Sequence, residues 1–134
     1  MDKAQQLLAV RTRLETNALN LPLVQTAKDT VPGEGNPNAE IMFIGEAAGY
    51  HESVQRRPFV GLAGQLLNKT LIANGLKRED VYISNVVKTR PPQNRDPLPE
   101  EIAAYAPYLD AEIDIIEPKI IATLGRFSMG KFLP

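Results

Sequence analysis

The sequence predicts an α/β fold in which helices pack on a parallel sheet. Three short apolar runs, at 39–44, 81–87 and 119–124, are rich in β-branched or aromatic residues, which suits strands buried on both faces. Helical patterns lie between these runs, and a strand–helix–strand order implies right-handed crossovers. With 134 residues and no internal repeat, the chain predicts one domain over 1–134.

The first element is an amphipathic helix, because Leu7, Val10 and Leu14 recur at helical spacing before the pattern fades near Asn17. The run of prolines, glycines and asparagines at 32–38 precedes the first strand and reads as turns.

A second helix is predicted over 64–74, with Gly75 as its C-cap, and a third over 99–116, ended by Pro118. The residues at 127–132 begin another helix. Three parallel strands make a thin sheet. We therefore expect that the chain either lacks the last strand of its fold or has replaced it.

Composition excludes several classes of site. The chain has no cysteine, which rules out disulfide frameworks, thiolate zinc sites, cysteine nucleophiles and cysteine-held iron–sulfur clusters. No stretch approaches the roughly 20 apolar residues of a membrane span, and the first residues are polar where a signal peptide would be apolar. We expect a cytoplasmic protein, and a monomer.

The formal net charge of −1 conceals an asymmetry along the chain. Residues 45–95 hold eight lysines and arginines against four acids, a local charge of +4, which leaves −5 on the remainder. A basic middle on an acidic body is typical of a focused nucleic-acid face. The alternative is ordinary scatter of charge.

The loop after the first strand, at 45–52, carries two carboxylates among small residues. Its glycines follow neither the dinucleotide pattern nor the Walker pattern, which disfavours a nucleotide cofactor. Small residues let a ligand approach the backbone N–H groups, with Glu46 and Glu52 beside it. The alternative is a tight turn with solvated acids.

Two residues could recognise a flat, polar ring. Phe59 lies between a proline and permissive glycines, as either a stacking platform or an ordinary core residue. Asn85 interrupts an apolar strand, where an amide is costly unless it is hydrogen-bonded. It is either a satisfied structural residue or a reader of a uracil edge, since its amide offers one donor and one acceptor.

The segment 88–95 contains Lys88, Arg90 and Arg95, a rigid diproline and no acid. This composition favours a phosphate clamp over a solvated loop. His51 is the only histidine of the chain, and a lone imidazole in a polar loop is typical of the surface. No metal site is predicted.

Together these motifs resemble one known family, the iron–sulfur (family 4) uracil-DNA glycosylases. The resemblance covers the chain from about residue 18 to its end, with the motifs in the family's order and spacing. It rests on Gly33-Glu34-Gly35, on Gly45-Glu46-Ala47-Ala48-Gly49 with Glu52, on Arg57-Pro58-Phe59-Val60-Gly61-Leu62-Ala63-Gly64, and on Asn85-Val86-Val87-Lys88-Thr89-Arg90-Pro91-Pro92-Gln93-Asn94-Arg95.

The resemblance implies a three-layer α/β/α sandwich on a four-stranded parallel sheet, and excision of uracil from DNA in base excision repair. Phe59 would stack on the flipped uracil, and Asn85 would read its Watson–Crick edge. Glu52 would crowd the C5 position where thymine has a methyl group. Glu46 would position water or stabilise the cation-like sugar, and the backbone at Ala47 would face a uracil carbonyl.

Three departures from the family pattern bear on activity. The four cysteines that hold the family's [4Fe–4S] cluster are replaced at Ala18, Leu21, Thr89 and Tyr105, which predicts no cluster. Either packing now fills that site or the segment 17–31 becomes loose. Ala48 stands in for a proline of the first motif. The fourth strand and a His-Pro motif, whose histidine would stabilise the uracil anion, fall outside this chain.

The resemblance therefore implies a uracil-DNA glycosylase, an N-glycosyl hydrolase that acts on uracil-containing DNA. Two alternatives stay open. One is a truncated or degenerate domain that binds uracil or single-stranded DNA without cutting it. The other is an α/β domain that handles nucleotides without a role in DNA.

Overall fold

A computed structural model describes residues 1–133 and confirms an α/β fold. The helices are α1 (Lys3–Thr16), α2 (Tyr50–Gln55), α3 (Leu62–Ala73), α4 (Pro99–Ile116) and α5 (Arg126–Phe132). The strands are β1 (Glu34–Gly35), β2 (Ile41–Ala47), β3 (Tyr82–Val87) and β4 (Ile120–Thr123). Short 3₁₀ turns complete several of the connections.

The strands form one sheet in the order β1-β3-β2-β4. β2 runs parallel to both β3 and β4, so that Met42 lies opposite Tyr82 on one side and Ile121 on the other. The three predicted strands are therefore confirmed as parallel neighbours, each within a few residues of its expected bounds.

The edge strand β1 corrects two expectations. Part of the run read as turns pairs with β3, and it does so antiparallel, so the described sheet is mixed rather than purely parallel. Gly35 makes this close approach feasible. Its φ is +138°, and a Cβ there would collide with the carbonyl oxygen of Val81.

Helices cover both faces of the sheet and give it three layers. On one face, α1 and α4 pack on β2 and β3 around a core that includes Leu14, Met42 and Tyr105. On the other face, Leu71 of α3 packs against Val81 and Ile83. Neighbouring residues of a strand point to opposite faces, so Ser84 faces α4 while Asn85 faces the α3 side.

The helix predictions are also confirmed, with small shifts at the ends. The first helix ends at Thr16 with Asn17 as its C-cap, where the helical pattern fades in the sequence. Within α4 the chain passes Pro107 and stops at Ile116, where Glu117 takes a left-handed φ of 53°. No helix in residues 1–133 is long and apolar enough to cross a membrane.

Candidate active site

A cavity of about 310 Å³ opens where β2 and β3 end, beside the start of α3. Its volume is near the lower end of the range of small-molecule pockets, about 300–1,000 Å³. Ligands of parallel α/β sheets bind at this carboxyl edge. The cavity is lined by Glu46, Ala47, Glu52, Phe59, Ala63, Asn85 and Leu124.

Asn85 is buried in this cavity with its side-chain oxygen unpaired. The residue is 3% exposed, and Oδ1 has no hydrogen-bond partner within residues 1–133. An unpaired buried acceptor costs about 1–3 kcal/mol, and almost all buried polar groups in folded proteins are paired. Asn85 is therefore not a satisfied structural residue, and its acceptor faces a cavity that a ligand could fill.

The ring of Phe59 lies against Gly45, next to Asn85. A Cβ at position 45 would collide both with the Phe59 ring and with Asn85 Oδ1. A glycine is thus required at the point where the aromatic ring and the amide meet. Phe59 itself has a φ of 53°, a left-handed conformation that is a genuine outlier for a bulky side chain.

Arg78 holds the loop that carries Phe59 through the carbonyl groups of residues 58 and 59. The guanidinium donates hydrogen bonds to the carbonyl oxygens of Pro58 and of Phe59, the second at 2.7 Å. Gly64 lets the first turn of α3 lie directly on the Phe59 carbonyl, because any Cβ there would collide with it.

Glu52 holds the residues of the loop that follow Phe59. One of its carboxylate oxygens accepts from the N–H groups of Val60 at 2.9 Å and Gly61 at 2.7 Å, and the other accepts from Gly49 at 3.1 Å. Burial raises the pKa of this carboxyl, but the N–H donors outweigh burial, and the pKa lies below its ordinary 4.5. Glu52 is therefore an anion that ties three loop amides together at the pocket wall.

Glu46 lies on the pocket wall and also caps α5. Its two oxygens accept from the backbone N–H groups of Phe127 at 2.9 Å and Ser128 at 2.8 Å. Gly125, with a φ of +126°, brings α5 this close, since a Cβ there would collide with the carboxylate. The predicted catalytic carboxylate is thus fixed in place by the first turn of α5.

The structure corrects the prediction that Lys88 contacts a DNA phosphate. Its side chain is 1% exposed, and its ammonium donates to Glu112 at 2.5 Å and to Ser84 Oγ. Tyr82 and Ser84 also donate to Glu112, at 2.8 Å each. Lys88 therefore belongs to a buried polar network under α4, on the face opposite the pocket.

The other two residues predicted to contact phosphate, Arg90 and Arg95, differ in whether their guanidinium group is already paired with a carboxylate. Both terminal guanidinium nitrogens of Arg95 donate to Glu101 at 2.8 Å, and this ion pair raises the pKa of Arg95 and lowers that of Glu101. Arg90 makes no salt bridge within residues 1–133. It donates from Nε to Asn94 at 2.8 Å and lies 5.5 Å from the centre of the exposed Tyr50 ring.

His51 lies on the surface, as predicted. It is exposed, and its ring meets that of Tyr50 edge to face at 5.3 Å between ring centres. Residues 1–133 contain no group of histidine and acidic side chains that could hold a metal ion.

Comparison with known proteins decides the family. A model of the uracil DNA glycosylase superfamily matches residues 32–134. The chain belongs to this superfamily. It is 59% identical over 107 residues to a type-4 uracil-DNA glycosylase of Sulfurisphaera tokodaii, covering 79% of this chain and 49% of the relative. A type-4 enzyme of Archaeoglobus fulgidus is 52% identical over 106 residues, covering 79% of this chain and 53% of the relative.

The chain thus spans about half the length of the curated uracil-DNA glycosylases it matches. The resemblance to family 4 is confirmed by these identities, and so is the α/β fold. The roles of individual site residues are a separate matter and rest on the geometry above.

The four positions that the family resemblance assigns to cluster cysteines are packed. Ala18 is fully buried, and Leu21 packs against the main core. The buried Tyr105 donates from its hydroxyl to the carbonyl oxygen of Pro22 at 2.9 Å, and Thr89 Oγ1 donates to that of Asp29 at 3.0 Å. Burial raises the pKa of Tyr105. None of the four side chains supplies a thiolate, and the two hydroxyl groups among them are already paired. They therefore do not fit a [4Fe–4S] cluster.

Sequence reasoning missed three residues of the candidate site. Ala63 and Leu124 line the cavity, and Arg78 holds the Phe59 loop. Ala63 lies within the motif at 57–64 and Leu124 at the end of a predicted strand, so the sequence could have indicated both as pocket residues. Arg78 carries no such signal, because only the three-dimensional fold brings it to residues 58 and 59.

Proposed function

We propose that this chain recognises uracil flipped out of DNA and takes part in its hydrolytic excision, the first step of base excision repair. One observation carries the proposal, the buried and unpaired oxygen of Asn85 beside Phe59. A DNA substrate is consistent with a cytoplasmic monomer, as the sequence also predicts.

The amide of Asn85 matches the Watson–Crick edge of uracil. Oδ1 would accept from N3–H of the base, and Nδ2 would donate to O4. Cytosine has no N3–H and carries an amino group at C4. The Nδ2 donor of Asn85 would therefore face the amino donor of cytosine. A buried site built for one hydrogen-bond pattern rejects the opposite pattern strongly, because its own polar groups stay unpaired.

The remaining pocket residues would hold the ring and limit its size. Phe59 would stack on the uracil face, an interaction worth about 1–3 kcal/mol per base. Glu52 would crowd the C5 position and so exclude the methyl group of thymine. The backbone at Ala47 would face a uracil carbonyl. Flipping the base costs a few kcal/mol, which these contacts would offset.

The reaction would break the bond between N1 of uracil and C1′ of the sugar. The electron pair of that bond leaves on N1, and a water oxygen forms the new bond to C1′ while losing a proton. Glu46 would face the cation-like sugar or orient the water. The proton goes to N1 of the departing uracil and the hydroxyl group stays on C1′, so the products are uracil and DNA with an abasic site.

DNA would approach this mouth along the side of Arg90. Its guanidinium has no carboxylate partner within residues 1–133 and is adjacent to the exposed Tyr50. Cations of this kind neutralise phosphates and make binding salt-dependent. Arg95 can contribute to phosphate binding only while its guanidinium group also binds Glu101.

Incubation of excess protein with a uracil-containing single-stranded oligonucleotide tests the proposal. We expect alkali-labile abasic sites from the unmodified protein and none from Asn85→Ala or from a thymine oligonucleotide. Asn38→Ala, an exposed asparagine outside the pocket, is the matched control and should cut normally. Absence of both cleavage and uracil binding would reject the proposal.

A second candidate, binding without excision, is favoured by the contacts of Glu46. Both of its oxygens already accept from backbone N–H groups of α5, which leaves fewer lone pairs for a water molecule. This candidate predicts uracil binding that depends on Asn85 and Phe59 but no abasic product at any protein excess.

A further inference from the structure

Arg78 occupies a position outside the pocket from which it controls the shape of the pocket wall. It begins the 3₁₀ turn that precedes β3, and its side chain is 16% exposed. One terminal nitrogen donates to the Phe59 carbonyl at 2.7 Å and the other to the Pro58 carbonyl. Nε lies 3.4 Å from Glu34, so the head of Arg78 is anchored on its far side.

The two carbonyl groups that Arg78 binds belong to consecutive residues. Their directions define the backbone on both sides of the Phe59 Cα, and therefore the direction in which the ring leaves the chain. That backbone has a left-handed φ of 53°, which a phenylalanine adopts only when its surroundings impose it. A planar guanidinium with two parallel donors can impose this geometry on two carbonyls at once.

We propose that Arg78 is a positioning residue for uracil recognition. It fixes the Phe59 backbone so that the ring lies against Gly45 and beside Asn85, where a base can be read and stacked together. The inference rests on the proposed function of the pocket. Arg78 itself does not line the cavity.

Arg57 offers a matched control within the same charge cluster. It binds the same Glu34 through two hydrogen bonds of 2.7 and 2.8 Å, yet its side chain donates to no carbonyl of the Phe59 loop. A loss of charge next to Glu34 is therefore common to Arg57→Gln and Arg78→Gln. Only the second change frees the carbonyl groups of residues 58 and 59.

The experiment compares Arg78→Gln, Arg78→Lys and Arg57→Gln with the unmodified chain. Uracil affinity is measured by NMR titration and the Tm by thermal unfolding. Hydrogen exchange is measured at the backbone amides of Val60 and Gly61. We expect Arg78→Gln to weaken uracil binding by at least about tenfold and to speed exchange at both amides, with partial recovery in Arg78→Lys. Arg57→Gln should change affinity by less than about twofold.

The outcomes separate this inference from the proposed function. If Arg78→Gln remains folded and binds uracil as the unmodified chain does, Arg78 is not a positioning residue. If the unmodified chain binds no uracil, the proposed function fails, and unchanged exchange at Val60 and Gly61 would then also reject the inference. If Arg78→Gln does not fold, Arg78→Lys decides: equal affinity to Arg57→Gln overturns the proposal.

Discussion

Two regions of the molecule treat buried polar groups in opposite ways. The pocket at the ends of β2 and β3 leaves the Asn85 oxygen unpaired and holds Phe59 at a left-handed φ. The packed region, made of Ala18, Leu21, Thr89 and Tyr105, pairs both of its side-chain hydroxyls with backbone carbonyls. Both regions lie at positions to which the family resemblance assigns a role.

The difference shows which positions the chain uses for stability and which for recognition. An unpaired amide and a strained backbone cost free energy in the empty state, and proteins retain such features mainly at functional sites. The packed region contains no such cost. Substitution of Asn85 should therefore change binding with little effect on stability, and substitutions in the packed region should do the reverse.

The largest effect is expected for Tyr105→Ala in the packed region. Loss of a fully buried aromatic ring should lower the free energy of unfolding by about 3–5 kcal/mol. Tyr105→Phe keeps the ring but leaves the Pro22 carbonyl without its donor, and should cost about 1–3 kcal/mol. Chemical denaturation measures both. A loss below about 1 kcal/mol for Tyr105→Ala would show that packing there does not stabilise the fold.

Asn85→Ala should give the inverse result in the pocket. Uracil affinity is expected to fall about a hundredfold, or about 2.7 kcal/mol, because both edge hydrogen bonds are lost. The free energy of unfolding should stay equal or rise, since the substitution removes an unpaired buried oxygen. Calorimetric titration and denaturation give the two numbers, with Asn38→Ala as control. A large loss of stability would place Asn85 among the structural residues.

A smaller effect should link the pocket loop to pH. The lowered pKa of Glu52 means that its anion stabilises the fold above pH 4.5, and this contribution disappears as the pH falls through the lower folded-state pKa. Glu52→Gln should be less stable than the unmodified chain at pH 7. The gap should narrow below pH 4.5, by at most about 1.4 kcal/mol per pH unit.

Denaturation curves between pH 7 and pH 3 measure this gap. Glu79→Gln is the control, because that carboxylate is exposed and forms no salt bridge within residues 1–133. The control should follow the unmodified chain at every pH. A gap for Glu52→Gln that stays constant with pH would contradict the role assigned to the Glu52 anion.

The smallest effect is expected from iron and sulfide. Anaerobic reconstitution should leave the Tm and the uracil affinity of the chain unchanged, since the packed region offers no thiolate ligands. Iron analysis after gel filtration measures any uptake. Stoichiometric iron with a raised Tm would show that other residues hold a cluster.

Much of the fold followed from patterns that are local in the sequence. Periodicity and capping, which depend on only a few neighbouring residues, predicted the strand runs and the long helix at 99–116. They also predicted the helix ends at Gly75 and Pro118. The edge strand β1 was missed because its two residues pair through a single close approach at Gly35. That contact depends on β3, in which the partner of Gly35 is Tyr82, 47 residues further along the chain, so no local pattern predicts it.

The site was only partly predictable for the same reason. Asn85 was recognisable because an amide in an apolar strand conflicts with its surroundings. Lys88 was misassigned because its neighbours in sequence are basic, whereas its partner Glu112 is brought to it only by the packing of α4 on β3. The support of Phe59 by Arg78 is likewise non-local.

The most direct test follows the side-chain amide signals of Asn85 by NMR while uracil is added to the unmodified chain. The account predicts large, saturable shifts of these signals with uracil and much smaller ones with thymine. Signals that do not move at saturating uracil, or that move equally with both bases, would contradict the claim that Asn85 reads uracil.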